Sequence, residues 1–277
     1  DGTEVQIAPI DVQYQSAPLL KRMLTNFAGP MNNFILGIAV FIAIAFVQGG
    51  VTVNESRLGE IQPDSPAEAA GLRENDEVLA VNGDATADWT ELVTSIQANP
   101  GNQITLTVVT DGEEARDVLV TPDTKTDEQG NEYGLIGVAV PMDRTLMAKI
   151  SYGFKEFWVI ATSIFGLVFA MFRTGFQADS FGGPVAIYAA TEQVVDYGFL
   201  SVLSFLAYLS INLGVVNLLP IPALDGGKLL LNLVEGIRGK PLDPEKEGII
   251  TAIGMGLLLL LMVIVTWNDI QRFFFGQ

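Results

Sequence analysis

Three long stretches of this sequence carry no charged residue at all: 23–54, 197–224 and 248–268. Each can supply the roughly 20 apolar residues that cross the hydrocarbon core of a bilayer. One such stretch fits a buried helix of a soluble domain. Three of them in 277 residues point to a chain threaded through lipid. The spanning form is then helix, because lipid offers backbone N–H and C=O groups no partner. A fourth uncharged run, Phe157 to Phe172, is shorter and is bracketed by Lys155, Glu156 and Arg173. Its length, with Trp158 and several Phe residues, predicts a surface-lying or re-entrant helix at the membrane interface.

Loop charges set an orientation. Lys21 and Arg22 precede the first stretch, and Lys228, Arg238, Lys240 and Lys246 follow the second; 174–197 carries no Lys or Arg. The positive-inside rule places the basic segments on the cytoplasmic side. An even number of crossings must then separate them, which leaves the 157–172 helix out of the count. Region 51–149 holds six basic against nineteen acidic residues, which suits the outside. The expected fold class is a multi-pass α-helical membrane protein with an inserted extracytoplasmic α+β domain. The expected order is a cytoplasmic or membrane-associated β segment over 1–32, a span over 33–50 and the outer domain over 51–149. An interfacial helix and loop follow over 150–198, then a span over 199–226, a cytoplasmic loop over 227–247, a span over 248–268 and an outer tail over 269–277. A net charge of −17 argues against nucleic acid as a partner, since phosphate binding needs a basic face. Membrane lipid is the implied surroundings.

Within 51–149 the order reads strand, helix, strand, helix, strand, strand. Ser65-Pro66 starts a short helix that Gly71 ends, Asn82-Gly83 and Asp111-Gly112 mark hairpin turns, and Asp88 caps a helix from Trp89. The strings Ser65-Pro66-Ala67-Glu68-Ala69-Ala70-Gly71-Leu72 and Asn75 to Gly83 resemble a PDZ domain over most of 53–122. Domains of that family bind an extended peptide by adding it as a strand to an exposed edge. The resemblance implies a groove between the strand at Leu58, Gly59 and Ile61 and the helix that begins at Trp89. The same apolar residues also suit the core of a thin domain.

Composition removes much familiar chemistry. The sequence has no Cys and no His, hence no thiolate, no Ser-His-Asp triad and no imidazole metal ligand. The feature that stands out is Asn217-Leu218-Leu219-Pro220-Ile221-Pro222-Ala223-Leu224-Asp225-Gly226-Gly227. Two prolines break the end of a span, and an acid sits at membrane depth, where ionisable groups mark functional sites. An ordinary helix end with Asp225 in solvent fits the same residues.

This string resembles the LDG motif of site-2 proteases, the membrane-embedded zinc metalloproteases, and Asn212 matches as well. Gly29-Pro30-Met31-Asn32-Asn33 fits the Gly-Pro-x-x-Asn motif of that family, and a PDZ domain between the two motifs is the arrangement of its RseP-like branch. The resemblance covers residues 20–277. It implies a metalloendopeptidase in which Asp225 is one Zn²⁺ ligand and an H-E-x-x-H helix supplies the other ligands and the base. No counterpart of that helix exists in these residues, so the expectation is an N-terminally incomplete protease whose catalytic residues lie elsewhere. The resemblance also implies substrates that are single-span transmembrane proteins or remnant signal peptides, with Asn33, Asn212, Asn217, Pro220 and Pro222 lining their path. Interhelical hydrogen bonds are the other role open to the asparagines. Val5 to Tyr14 suggests strands that present the substrate. The other functional class open to the sequence is a non-enzymatic membrane scaffold with a peptide-binding outer domain.

Overall fold

The computed structural model describes residues 17–110, 113–127, 129–175 and 182–275. The strands expected over Val5 to Tyr14 and the Asp111-Gly112 turn lie outside them. The chain divides into two compact units: residues up to Ile44 together with those from Ile150 on, and Ala45–Lys149.

The first unit is helical: α1 (Leu19–Val47), α4 (Leu146–Thr174), α5 (Pro184–Asp196), α6 (Phe199–Leu218), α7 (Asp225–Arg238) and α8 (Pro244–Phe275). Helices α1, α4, α6 and α8 are long and apolar enough to cross a membrane. Two expectations change here. Helix α1 starts at Leu19, so residues 19–32 are helix rather than β segment. Helix α4 has 29 residues where the uncharged run promised a short one. Lys and Glu are good helix formers, so Lys155 and Glu156 lie inside the helix instead of ending it, and length no longer argues that α4 is interfacial.

Contacts fix the helix directions. Phe41 stacks edge-on with Tyr152, and Phe34 with Phe157. Gly153 packs on Ile38 and Ile42, and Gly37 on Ile211 and Ala207. The Ser210 hydroxyl donates to the Asn33 carbonyl at 2.9 Å. Rising numbers on α4 or α6 thus meet falling numbers on α1: both run antiparallel to it and parallel to each other. Phe34, Phe41, Ile44, Ile160, Ala161, Ala207, Ile211 and Val215 form the shared core. Helix α8 leaves from Pro222, against Gly254, and reaches the start of α5, where Gly183 packs on Val265 and Asp269.

The second unit is α+β. It contains β1 (Val51–Thr52), α2 (Pro66–Ala69), β2 (Glu77–Val81), β3 (Asp84–Ala85), α3 (Trp89–Gln97), β4 (Ile104–Val109), β5 (Arg116–Val120), β6 (Asp123–Thr126), β7 (Glu132–Leu135) and β8 (Met142–Asp143). An antiparallel sheet in the order β3-β2-β4-β5 is flanked by two small ladders, β1-β8 and β6-β7. Strand β4 alternates buried and half-buried residues, the period of a strand with one face on the core. Its inward residues join Leu58, Val78, Leu92, Ile96, Val118 and Ile136 in one cluster. Ser65 and Asp88 cap α2 and α3 by accepting from Glu68 and Glu91 N–H, and each glutamate reaches back to a preceding N–H. The exchange is that of a capping box shifted by one residue, since the glutamates accept from Asp64 and Ala87, the residues before the caps. The fully buried Asp76 accepts from Arg116 at 3.0 Å, Thr110 at 2.6 Å and the Arg73 N–H at 3.0 Å, so its charge is paired, as burial demands.

Candidate functional site

Helix α6 stops where its sequence says it must, at Leu218 before the two prolines. The chain then turns through Leu219–Leu224, with Ala223 at φ +80°, a conformation that a non-glycine residue rarely holds. Asp225 opens α7 in its first turn, half-buried. Glycines let the backbone close around this turn. A side chain on Gly226 would overlap the carbonyls of Leu218 and Leu219, one on Gly227 the Ile221 carbonyl, and one on Gly254 of α8 the Pro222 carbonyl. On the α1 side, a Cβ at Gly29 would stand 3.2 Å from Asp225 Oδ2. The next residue, Pro30, is buried within α1, where it has no N–H to donate to the preceding turn. The two motifs the sequence singled out, nearly two hundred positions apart in the chain, therefore meet at one carboxylate.

 Their separation is one of position along the chain alone: Gly29 and Asp225 are in contact.

The asparagines divide. Asn217 lies seven residues after Ser210 and three after Gly214, on the α6 stripe that faces α1: Ser210 bonds Asn33 there, and Gly214 packs on Phe34 and Pro30. Asn212 lies five residues before Asn217, most of half a turn around the helix, and so faces elsewhere. The half-buried side-chain amides of Asn33, Asn212 and Asn217 have no hydrogen-bond partner among the described residues. Pro220 is exposed and Pro222 half-buried against α8. Sequence reasoning missed Gly254, for which an apolar helix offers no signal, and it gave Gly29 a place in a motif but no physical role.

As a metal site these residues are incomplete. Among the described residues no three His, Cys, Asp or Glu side chains cluster, and a catalytic zinc takes three protein ligands. Asp225 has the right chemistry for one of them; no described residue beside it supplies the others.

The groove expected in the outer domain needs a correction. Leu58 is fully buried in the core. The edge at Gly59 and Ile61 is already paired: Gly59 N–H donates to Ala139, Ala139 N–H to Glu60, and Gln62 N–H to Gly137. The reason is that the end of the domain returns onto this strand, so closely that a Cβ on Gly59 would meet the Ala139 carbonyl at 2.5 Å. Those bonds make Ile61 and Val138 a non-hydrogen-bonded pair, which turns the N–H and C=O of Val138 to the opposite edge. There they have no partner among the described residues. Val138 and Trp89 both pack against the cluster that includes Leu92 and Ile96 of α3. β7, which leads into this strand, rests on the same helix. Trp89 thus keeps its place beside an open stretch of edge, but that stretch is at Val138; the Ile136 carbonyl already accepts from the Ala67 N–H at 2.9 Å. The available signal was Gly134-Leu135-Ile136-Gly137, an apolar pair between glycines ahead of Val138 and Val140.

Comparison with known proteins decides the family. The sequence profile of peptidase family M50 matches residues 2–261. The chain belongs to this family. It is 49% identical over 276 residues to a probable protease, Eep, of Enterococcus faecalis, covering 99% of this chain and 65% of that protein. It is 44% identical over 274 residues to the zinc metalloprotease RasP of Geobacillus kaustophilus, covering 99% of this chain and 64% of that one. The chain therefore spans a little under two-thirds of the length of these relatives. A solved PDZ domain of an SdrC-like protein from Listeria monocytogenes is similar to 32% of the chain at 19% identity, with a TM-score of 0.27.

Proposed function

We propose that this chain is the carboxylate-bearing part of an intramembrane zinc metalloprotease that cleaves single-span membrane proteins or remnant signal peptides. The observation that carries the reading is Asp225, on a proline-broken, glycine-enclosed turn against Gly29 of α1, in a chain of family M50. Zinc, when bound, would polarise the scissile carbonyl and activate a water. Asp225 would give it one anionic ligand; the remaining ligands and the general base are assigned to residues outside these 277. The chain's own contribution is then to bind and orient. A substrate strand drawn into lipid needs partners for its backbone, and the free amides of Asn217 and Asn33, on the facing stripes of α6 and α1, suit that role. Asn212 faces away and is the weakest of the three for it. A non-enzymatic scaffold would leave the enclosed turn and its carboxylate without a use.

The orientation proposed from the basic loops draws support from helix direction. Helices α4 and α6 both return antiparallel to α1, so if both crossed fully, residues 175–198 would have to cross back. Helix α5 has 13 residues, about 20 Å of helix against a core of about 30 Å. We therefore keep α1, α6 and α8 as the crossings, with α4 lying partly in the outer leaflet. Residues 51–149 are then outside and 227–247 cytoplasmic. The open edge at Val138 would dock an extended peptide from the trimmed substrate, acting as a filter rather than as part of the chemistry.

The test uses the full-length protein in membranes. Asp225→Asn should retain the helices and lose both zinc and cleavage of a single-span reporter. Asn217→Ala should keep zinc and slow cleavage about 10-fold, the worth of one hydrogen bond of about 1.4 kcal/mol. Full cleavage by Asp225→Asn ends the metal reading. A cysteine at position 85 should react with an impermeant reagent on intact cells, while one at 240 should not; the reverse pattern inverts the topology.

A further inference from the structure

A ligand at the tip of a helix is only as well placed as the helix that carries it. The first turn of α7 is held by contact, through Gly226 and Gly227 on the preceding carbonyls. Its last turns are held by charge. Arg22, in the first turn of α1, meets Glu235 through two bonds, Nη1 to Oε2 at 3.1 Å and Nη2 to Oε1 at 2.5 Å. The two side chains are only 11% and 15% exposed. Beside them Leu19 lies on Gly236, where a Cβ would stand 3.0 Å from Leu19 Cδ2. With Gly29 against Asp225, these contacts line up in order: α1 and α7 run antiparallel along one seam, and the ion pair sits near the end away from the carboxylate.

Stability alone does not account for this pair. Withdrawing two charges from water costs about what their attraction returns, and an apolar pair of the same volume often serves as well. A two-pronged guanidinium–carboxylate contact does something an apolar contact does not: it fixes rotation as well as spacing. Glu235 stands ten residues from Asp225, about 15 Å along the helix. A roll of α7 at that end would swing the carboxylate at the other.

We propose that Arg22 and Glu235 are positioning residues: their ion pair sets the rotation and register of α7 on α1, and through it the aim of the Asp225 carboxylate. The proposal rests on the reading of Asp225 as a metal ligand, and the test separates the two. In a cysteine-free background of the full-length protein, Leu19→Cys with Gly236→Cys reports the seating of α7 by thiol cross-linking. The cross-link should form readily. Arg22→Gln should reduce it several-fold and should lower zinc retention against a chelator by at most about 10-fold, the low end of what loss of a group bonded directly to a metal ligand costs. Arg22→Lys should fall between, since ammonium supplies no fork. The exchange Arg22→Glu with Glu235→Arg should restore both readouts; it also serves if Arg22→Gln fails to accumulate. A merely structural role would change the amount of folded protein and leave zinc retained per folded molecule untouched. Unchanged cross-linking and zinc in Arg22→Gln, or an exchange variant that folds but restores neither, overturns the proposal. Asp225→Asn that still cross-links and has lost zinc agrees with both readings. Asp225→Asn that keeps its zinc removes the metal reading alone, and the register claim then stands or falls on the cross-link.

Discussion

The two units lean on glycine in different ways. In the α+β unit most of the described glycines, Gly71, Gly83 and Gly130 among them, have positive φ, and these three have open space around them: they are there for the backbone angle, at turns. In the helical unit Gly37, Gly153, Gly214, Gly226, Gly227 and Gly254 have no positive φ, and each faces an atom a side chain would strike. The difference follows from what drives assembly. A domain in water gains by burying apolar area and needs glycine chiefly to reverse the chain, with close approach confined to a few sites such as Gly59 and Gly134. Helices in lipid gain little from burial and cohere through close backbone approach. The turn Leu219–Leu224 takes this to its limit, with three glycines around six residues.

The sharpest test of that contrast is a matched pair. Gly226→Ala sets a methyl into two fixed carbonyls, which neither a rotamer change nor a small shift relieves. It should destabilise at or above the upper end of the roughly 1–3 kcal/mol typical of overpacking and abolish cleavage. Gly83→Ala meets no atom and suffers only its φ of +90°, a cost of about 1–2 kcal/mol, with cleavage of a trimmed substrate unaffected. Folded-protein yield and reporter cleavage measure both. Equal effects would erase the distinction.

How far these regions could be read in advance differs for the same reason. Helices α1, α6 and α8 were legible because lipid excludes charge, and the stretches 23–54, 197–224 and 248–268 announce them. The ends were less so: Lys155 and Glu156 seemed to close a short segment, yet helix propensity carried α4 past them. Asp225 could be singled out because an acid after two prolines is costly at that depth. Gly254 could not, since its reason is a carbonyl 32 positions earlier. In the α+β unit, alternation in β4 and the caps at Ser65 and Asp88 are local and were readable. The pairing of Gly59 to Gln62 with Gly137 to Ala139 is not local, and no residue between 58 and 62 says which later strand will return to it.

That pairing makes a second, smaller test within the α+β unit. Along one strand, the Ala139 amide is bonded to Glu60 while the Val138 amide has no partner among the described residues. Amide exchange should be slow at Ala139 and fast at Val138 in the free domain. An extended peptide added at the open edge should slow Val138 and leave Ala139 as it was. Protection of Val138 without peptide would mean that the edge is not open.

The smallest expected effect is a pH dependence confined to the β6–β7 hairpin. Asp127 is exposed, and its carboxyl is held below the ordinary value of 3.8, first by the Asn131 side-chain amide and then by the Asn131 backbone N–H. The bonds are 3.0 and 2.8 Å long, and they close the turn between β6 and β7. A folded-state value below the unfolded one means that the folded state binds its proton later. The contribution is therefore fully present above the ordinary carboxylate range and is lost as pH falls through the lowered value. Nothing should change between neutral pH and about 5, because the carboxylate is ionised in both states there. Below that, the Asn131 amide resonances should shift with the Asp127 titration, and the hairpin should loosen before the core strands β2, β4 and β5, which are held by backbone ladders over a buried apolar face. Asp127→Asn should flatten this acid step while leaving the neutral-pH melting of the domain nearly unchanged, as for an exposed substitution. An Asn131 titration that tracks a carboxyl value at or above 3.8 would show that the turn does not hold the charge.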